Sequence, residues 1–397
     1  MRVPLRADDG SFGAPPSRLL TRPALVPAGL SPTLVKGGPH RERFLRGLLC
    51  RSPFVLLAAL GLVALALLGL QTLFTSGAFA HVRESVLLRQ NRDDFFHDTY
   101  VVGRLKLHHP SRLPIYVIGG SAARESLVSE KAFADVVRQA TGVPVDTYVL
   151  CNYNQNLGES LAIVDNLPPG RGIVVIAVNN NRFHFRPAEV AAQTSGSPLL
   201  LSSPTLRSFV ARNPAKGVAR ARLPGILPGI MGYVVQVVDA KVTELARNGH
   251  VGVAYKPHWV TARKMWTTAR KRAGVQDWIE TRGNAFYRNY PYNARLLDVL
   301  VSRARQRGFK VVLLEETENT AIVGHSFDRF KAVYKPIVRR IAAKHGVPYL
   351  DLQAKLRLPN ADFWDYIHPV EPARVVWQRV LAEALKPVVQ QAAAGGS

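Results

Sequence analysis

Two periodicities alternate along residues 113–386. Short runs of β-branched and other apolar residues, at 115–118, 145–150, 173–178, 310–314 and 348–352, read as strands. Between them apolar residues recur every three or four positions. That spacing predicts helices over 125–141, 158–166, 292–307 and 327–345, and a last one from about 372 to 385. Gly142, Gly308 and Gly346 stand where three of these helices should stop. Strands that are apolar throughout are buried on both faces. Their alternation with helices predicts an α/β fold of three layers, a parallel sheet covered on each side. Residues 186–290 interrupt the rhythm and read as an insert.

Upstream of 113 the pattern changes twice. Residues 1–52 are rich in Pro, Gly, Ser and Arg and have no period, which predicts a disordered tail. From 53 to 70 every residue is apolar or glycine, and 71–74 extend the run. This is about the length of one membrane-crossing helix. A cleaved signal peptide and a buried core helix are the alternatives. A signal peptide would have a shorter apolar run nearer the start, and Ser76-Gly77-Ala78-Phe79-Ala80 is only a faint cleavage site. Residues 1–52 hold nine Lys/Arg against three acids, with Arg41, Arg43, Arg46 and Arg51 crowding the apolar edge. The positive-inside rule then keeps the tail cytoplasmic and puts the bulk of the chain outside the cytoplasm. Residues 81–110 read as a helical stalk. The predicted order is tail 1–52, transmembrane helix 53–74, stalk 81–110, and one α/β domain over 111–390.

Composition narrows the chemistry. With 397 residues, 47% of them hydrophobic, the chain can bury a sizeable core. The net charge of +24 favours polyanions: nucleic acid, anionic lipid or an acidic polymer. The apolar segment makes nucleic acid the least favoured, so none is expected as a partner. Cys50 and Cys151 are too few for a disulfide framework and fall on opposite sides of the membrane in this reading. No Cys/His cluster has zinc spacing and no Walker-type loop occurs, so no metal or cofactor is expected. His108 and His109 are adjacent, which points their rings apart and suggests a loop. Within the insert, 223–238 is apolar but broken by Pro224, Gly225, Pro228, Gly229 and Gly232. It reads as a helix on a membrane surface, a groove wall, or a core helix. Residues 256–272 carry His258, Trp259, Arg263, Lys264, Trp266, Arg270, Lys271 and Arg272. Such a mixture suits anionic sugar chains or lipid headgroups, with a solvated basic helix as the alternative.

Two separated motifs carry the candidate reaction. Val117-Ile118-Gly119-Gly120-Ser121 takes a strand through two glycines into a serine, which a tight turn would expose at the strand's carboxyl end. Asp365-Tyr366-Ile367-His368 precedes the last helix and can supply a base and the acid that orients it. Ser, His and Asp in these roles make a nucleophile for acyl transfer. Glu315, Glu316 and Glu318 follow a strand and read either as cleft lining or as a solvated loop.

These motifs, with 152–158 and Asn179-Asn180-Asn181 at two further strand ends, resemble the SGNH/GDSL hydrolases. The resemblance covers about 113–185 and 290–386. It is closest in style to membrane-anchored members that act on cell-surface polymers, such as the teichoic-acid D-alanylation and alginate O-acetylation proteins. It implies a flavodoxin-like fold and an esterase or O-acyltransferase, acetyl being the expected acyl group. Ser121, Asp365 and His368 would be catalytic. Gly158, with Asn154 or Asn156 as alternatives, and Asn180, with Asn179 second, would join the Ser121 amide in binding the oxyanion. Trp364, just before Asp365, reads either as packing against the acyl group of the substrate or as a core anchor. Gly120 stands where the family has Asp, and the glycine of the third block is missing. Implied partners are a cell-envelope glycan or other anionic polymer, the cytoplasmic membrane, and a membrane acyl-donor protein. A non-catalytic binder of an envelope polymer complex is the alternative.

Overall fold

The computed structural model describes residues 53–75, 78–81, 94–196, 201–214, 265–353, 356 and 358–395. The tail 1–52 with Cys50, residues 82–93 of the stalk, the run 223–238 and most of 256–272 lie outside the described residues. The chain divides into two units, Met1–Ala64 and Leu65–Ser397. Helix α1 (Pro53–Thr75) has 23 residues and no charged side chain. Phe54, Leu57, Leu60, Leu62 and Leu65 on it are exposed. Its side chains are described at 53–66, 68 and 69, so the expected membrane span of 53–74 extends beyond them. Among the described residues no helix is long and apolar enough to cross a membrane.

In chain order there follow α2 (Asp94–Leu107), β1 (Leu113–Gly120), α3 (Ser121–Glu125), α4 (Glu130–Thr141), β2 (Val145–Asn152), α5 (Leu157–Asn166) and β3 (Ile173–Val178). Then come α6 (Pro187–Gly196), α7 (Pro204–Arg212), α8 (Thr268–Gln306), β4 (Lys310–Glu315), α9 (Thr320–Val323), α10 (Asp328–His345), β5 (Tyr349–Leu350) and α11 (Glu371–Ala394). The strands form one sheet in the order β2-β1-β3-β4-β5, with every pairing parallel. This is the flavodoxin-like order. The direction of winding reverses between β1 and β3, which opens a crevice at their carboxyl ends.

Each strand splits its side chains between two cores, as a period of two requires. Tyr116, Ile118, Val174, Ile176, Val311 and Leu313 face α5, α8 and α10 through residues such as Leu161, Leu296, Leu300 and Phe330. Ile115, Val117, Ile173, Val175, Val312 and Leu314 face α4 and α11 through Phe133, Val137, Trp377 and Leu381. Both faces of the sheet are therefore covered.

Three boundaries differ from the sequence pattern for identifiable reasons. The helix expected over 125–141 is two. Ser129 interrupts it with extended backbone and caps α4, its side chain accepting from the Ala132 N–H at 3.0 Å. The helix expected from 292 starts at Thr268 and runs 39 residues, with Pro291 inside. Proline favours a first helical position, but here a buried stripe at Val275, Trp278, Phe286, Asn289, Asn293 and Leu296 continues through it. The interruption of the α/β rhythm thus ends at 267 rather than 290. Strand β5 keeps only two paired residues, Leu313 with Tyr349 and Leu314 with Leu350, at the sheet edge.

Candidate active site

Strand β1 delivers Ser121 to the crevice. Gly119 has no room for a side chain, because a Cβ there would stand 2.6 Å from that of Ala177 on β3. Ser121 then opens α3, so its N–H lies in a first turn whose donors have no partner inside the helix.

The loop before α11 brings the imidazole of His368. Ser121 Oγ is 2.9 Å from His368 Nε2, and His368 Nδ1 is 2.7 Å from Asp365 Oδ2. An ionised carboxylate only accepts, so the Nδ1–H donates to Asp365 and Nε2 is left to accept the serine hydroxyl proton. Burial alone would raise the Asp365 carboxyl. The His368 charge and hydrogen bond, with the Ile367 and His368 N–H groups at 2.8 Å, outweigh it and hold the pKa below the usual carboxylate value. All three side chains are buried.

This loop is tied down on several sides. Buried Lys271, in the first turn of α8, donates to the Asn360 carbonyl and side chain at 2.9 Å and to the Phe363 carbonyl at 2.6 Å. The Asn319 N–H donates to the Tyr366 carbonyl at 3.0 Å, and Thr317 Oγ1 to that of Ile367 at 3.0 Å. Trp364 lies flat against His368, with ring centres 5.1 Å apart and planes 12° apart, and donates Nε1–H to Glu125 at 3.0 Å. Of its two expected roles, against the acyl group or as a core anchor, its burial against His368 fits the second.

The candidate oxyanion donors separate cleanly. The Gly158 N–H already donates to Asn156 Oδ1 at 2.8 Å. Asn156 and Glu159 form a capping box at the start of α5, which uses that amide for the helix. Gly158 is therefore corrected to a cap position, Asn156 is its acceptor, and Asn154 sits in the preceding turn at φ 55°. Asn179 is engaged at both ends: Nδ2 donates to Glu316 Oε2 at 2.6 Å, and Oδ1 accepts from the Asn181 N–H at 2.9 Å. Asn181 Oδ1 accepts from Trp278 Nε1. Buried Asn180 differs, because its Nδ2 has no hydrogen-bond partner. A buried amide left unpaired in this way is costly in a resting protein.

Helix α8 also fixes the asparagine loop. Asn289 Nδ2 donates to the His184 carbonyl at 2.7 Å, and Asn293 Nδ2 to those of Phe183 at 3.2 Å and Phe185 at 2.8 Å. His184 is no rival base. Burial, helped by Arg282, pushes its pKa down to about 3.

Glu315 and Glu316 are buried rather than solvated, and Glu318 is held by Lys331 at 2.5 Å. Arg182, which carried no expectation, meets Glu316 in a buried ion pair at 2.6 Å. His108 and His109 are exposed, and Cys151 is a buried thiol whose pKa burial raises. Among the described residues no group of three or more His, Cys, Asp or Glu is placed to hold a metal ion.

No protein-family model matches this chain, and no curated protein sequence matches it. Among solved structures, the crystal structure of a carbohydrate acetylesterase family member from Sinorhizobium meliloti is similar at a TM-score of 0.29 and 9% identity. The overlap covers 70% of this chain and 98% of that one. A likeness of that size carries no functional argument, and what the site can do rests on its own geometry.

Proposed function

We propose that this chain is a serine esterase or O-acyltransferase working through an acyl-Ser121 intermediate. The observations that carry the reading are the relay Ser121–His368–Asp365 and the buried, unpaired Asn180 amide just past β3, the strand next to β1. As Ser121 Oγ attacks an ester carbonyl, its proton passes to His368 Nε2, and Asp365 balances the imidazolium. The carbonyl oxygen becomes an oxyanion for which the Ser121 N–H and Asn180 Nδ2 are the candidate donors. Collapse breaks the bond to the alcohol, which leaves with the proton from His368. A water or sugar hydroxyl then gives its proton to His368 and attacks the acyl-serine; collapse breaks the acyl–Oγ bond, and His368 returns the proton to Ser121 Oγ.

The SGNH resemblance of the motifs extends the reading to an acetyl group and a cell-envelope glycan. The basic tail and the apolar run extend it to a single-pass protein of the cytoplasmic membrane with its site outside the cytoplasm. A membrane acyl donor is the partner a transferase would need.

The test is turnover of p-nitrophenyl acetate together with labelling by a serine-directed fluorophosphonate. Wild-type protein should turn over and label at Ser121. Ser121→Ala should do neither while keeping its thermal midpoint. Polymer binding without labelling would favour a non-catalytic binder, and unchanged turnover in Ser121→Ala would reject the mechanism.

A further inference from the structure

We infer that Arg182 and Glu316 are a positioning pair that sets the oxyanion pocket by joining the carboxyl ends of all five strands. The inference rests on the acyl-serine reading above. At the end of β1, the Gly120 N–H donates to Glu316 Oε1 at 3.1 Å. After β2, the Gln155 carbonyl accepts from Arg182 Nη1. After β3, Asn179 Nδ2 donates to Glu316 Oε2 at 2.6 Å, and Arg182 itself follows three residues later. Glu316 directly follows β4, and after β5 Gln353 Nε2 donates to the Glu316 carbonyl at 2.5 Å. Both charged side chains are only 2% exposed.

The two groups that the Glu316 carboxylate holds each adjoin a candidate oxyanion donor. Gly120 precedes Ser121, and Asn179 precedes Asn180. Fixing the Gly120 N–H and the Asn179 amide therefore fixes where the next two donors point. The glycine at 120 lets the guanidinium come this close, since a Cβ there would stand 2.1 Å from Arg182 Nη2.

Stability does not explain the pair. Well-packed apolar side chains serve a buried site as well as an ion pair or better. What apolar residues cannot supply is directed hydrogen bonds to several loops. Nor can they cancel a charge: a carboxylate beside a developing oxyanion opposes it unless a cation balances it. Arg182 is that cation.

The experiment uses the full chain and three variants: Glu316→Gln, Arg182→Met and the double variant. Turnover of p-nitrophenyl acetate, fluorophosphonate labelling rate and thermal midpoint are measured for each. Arg182→Met should lose about a hundredfold in kcat with KM within about threefold, because a bare carboxylate faces the oxyanion. Glu316→Gln should lose about tenfold. The double variant should regain activity over Arg182→Met, reaching about the level of Glu316→Gln, although it has lost more hydrogen bonds. A folded variant with wild-type kcat, losses confined to KM, or a double variant no faster than Arg182→Met would overturn the inference. Should the single variants not fold, the charge-neutral double variant decides alone. If it unfolds too, the pair is structural and the inference falls. Absence of labelling in the wild type would defeat the esterase reading itself, a separate outcome.

Discussion

At the end of β4, Glu315 and Glu316 are neighbours in sequence, equally buried, and turned to opposite sides of the sheet. Glu315 faces α10 and β5, where Tyr334 and Tyr349 donate to its two oxygens and Lys335 stands 3.6 Å away. Burial outweighs these partners and pushes its pKa up to about 7. Glu316 faces the crevice and is bonded by Arg182, Gly120 and Asn179. A buried carboxylate is thus no sign of function on its own. The distinction lies in what its partners are attached to: core elements for Glu315, loops adjoining the nucleophile for Glu316.

The sharpest break on the crevice side is Asp365→Asn. It keeps the shape but favours the wrong imidazole tautomer, and kcat for p-nitrophenyl acetate should fall about 10⁴-fold at an unchanged thermal midpoint. Asn180→Ala comes next, with about 10²- to 10³-fold lost in kcat and little change in KM, read from steady-state kinetics.

On the other side, Glu315→Gln should leave kcat within about twofold, and its effect appears in stability against pH. The folded protein holds the Glu315 proton up to about pH 7. An unfolded chain releases it near pH 4.3. This term is therefore complete below pH 4.3 and is lost as pH rises towards 7, amounting to on the order of 3 kcal/mol. Urea unfolding between pH 4.5 and 7.5 should show a slope in the wild type that flattens in the variant. The smallest effect belongs to Tyr349→Phe, which removes one donor to Glu315. It should cost about 1–2 kcal/mol above pH 7 and less below, where the acid is neutral.

How legible all this was depended on the distance over which a signal acts. The strands and the stops at Gly142, Gly308 and Gly346 were legible because apolar runs and left-handed caps are local. All three glycines have positive φ, at 76°, 91° and 59°. Ser121 and the Asp365–His368 spacing were legible as candidates for the same reason. The role of Gly158 was misread although Asn156 and Glu159 spell a capping box in plain sequence. The first half of α8 was lost behind Pro291, and with it the parts of Trp278 and Asn289 in bracing the asparagine loop; Lys271, read within a basic stretch for anionic ligands or solvent, is buried under the Asn360–Phe363 segment. Nothing local distinguishes Asn180 from Asn179. The difference is made by Glu316, which binds one and not the other. Arg182 and Glu316 are 134 positions apart, so no periodicity reports their meeting.

Ser121 and His368 are separated by 247 positions. Any truncation or insertion that displaces the segment Asn360–His368 would therefore part the Ser121 hydroxyl from the imidazole 2.9 Å away, while leaving the strand that carries the serine untouched.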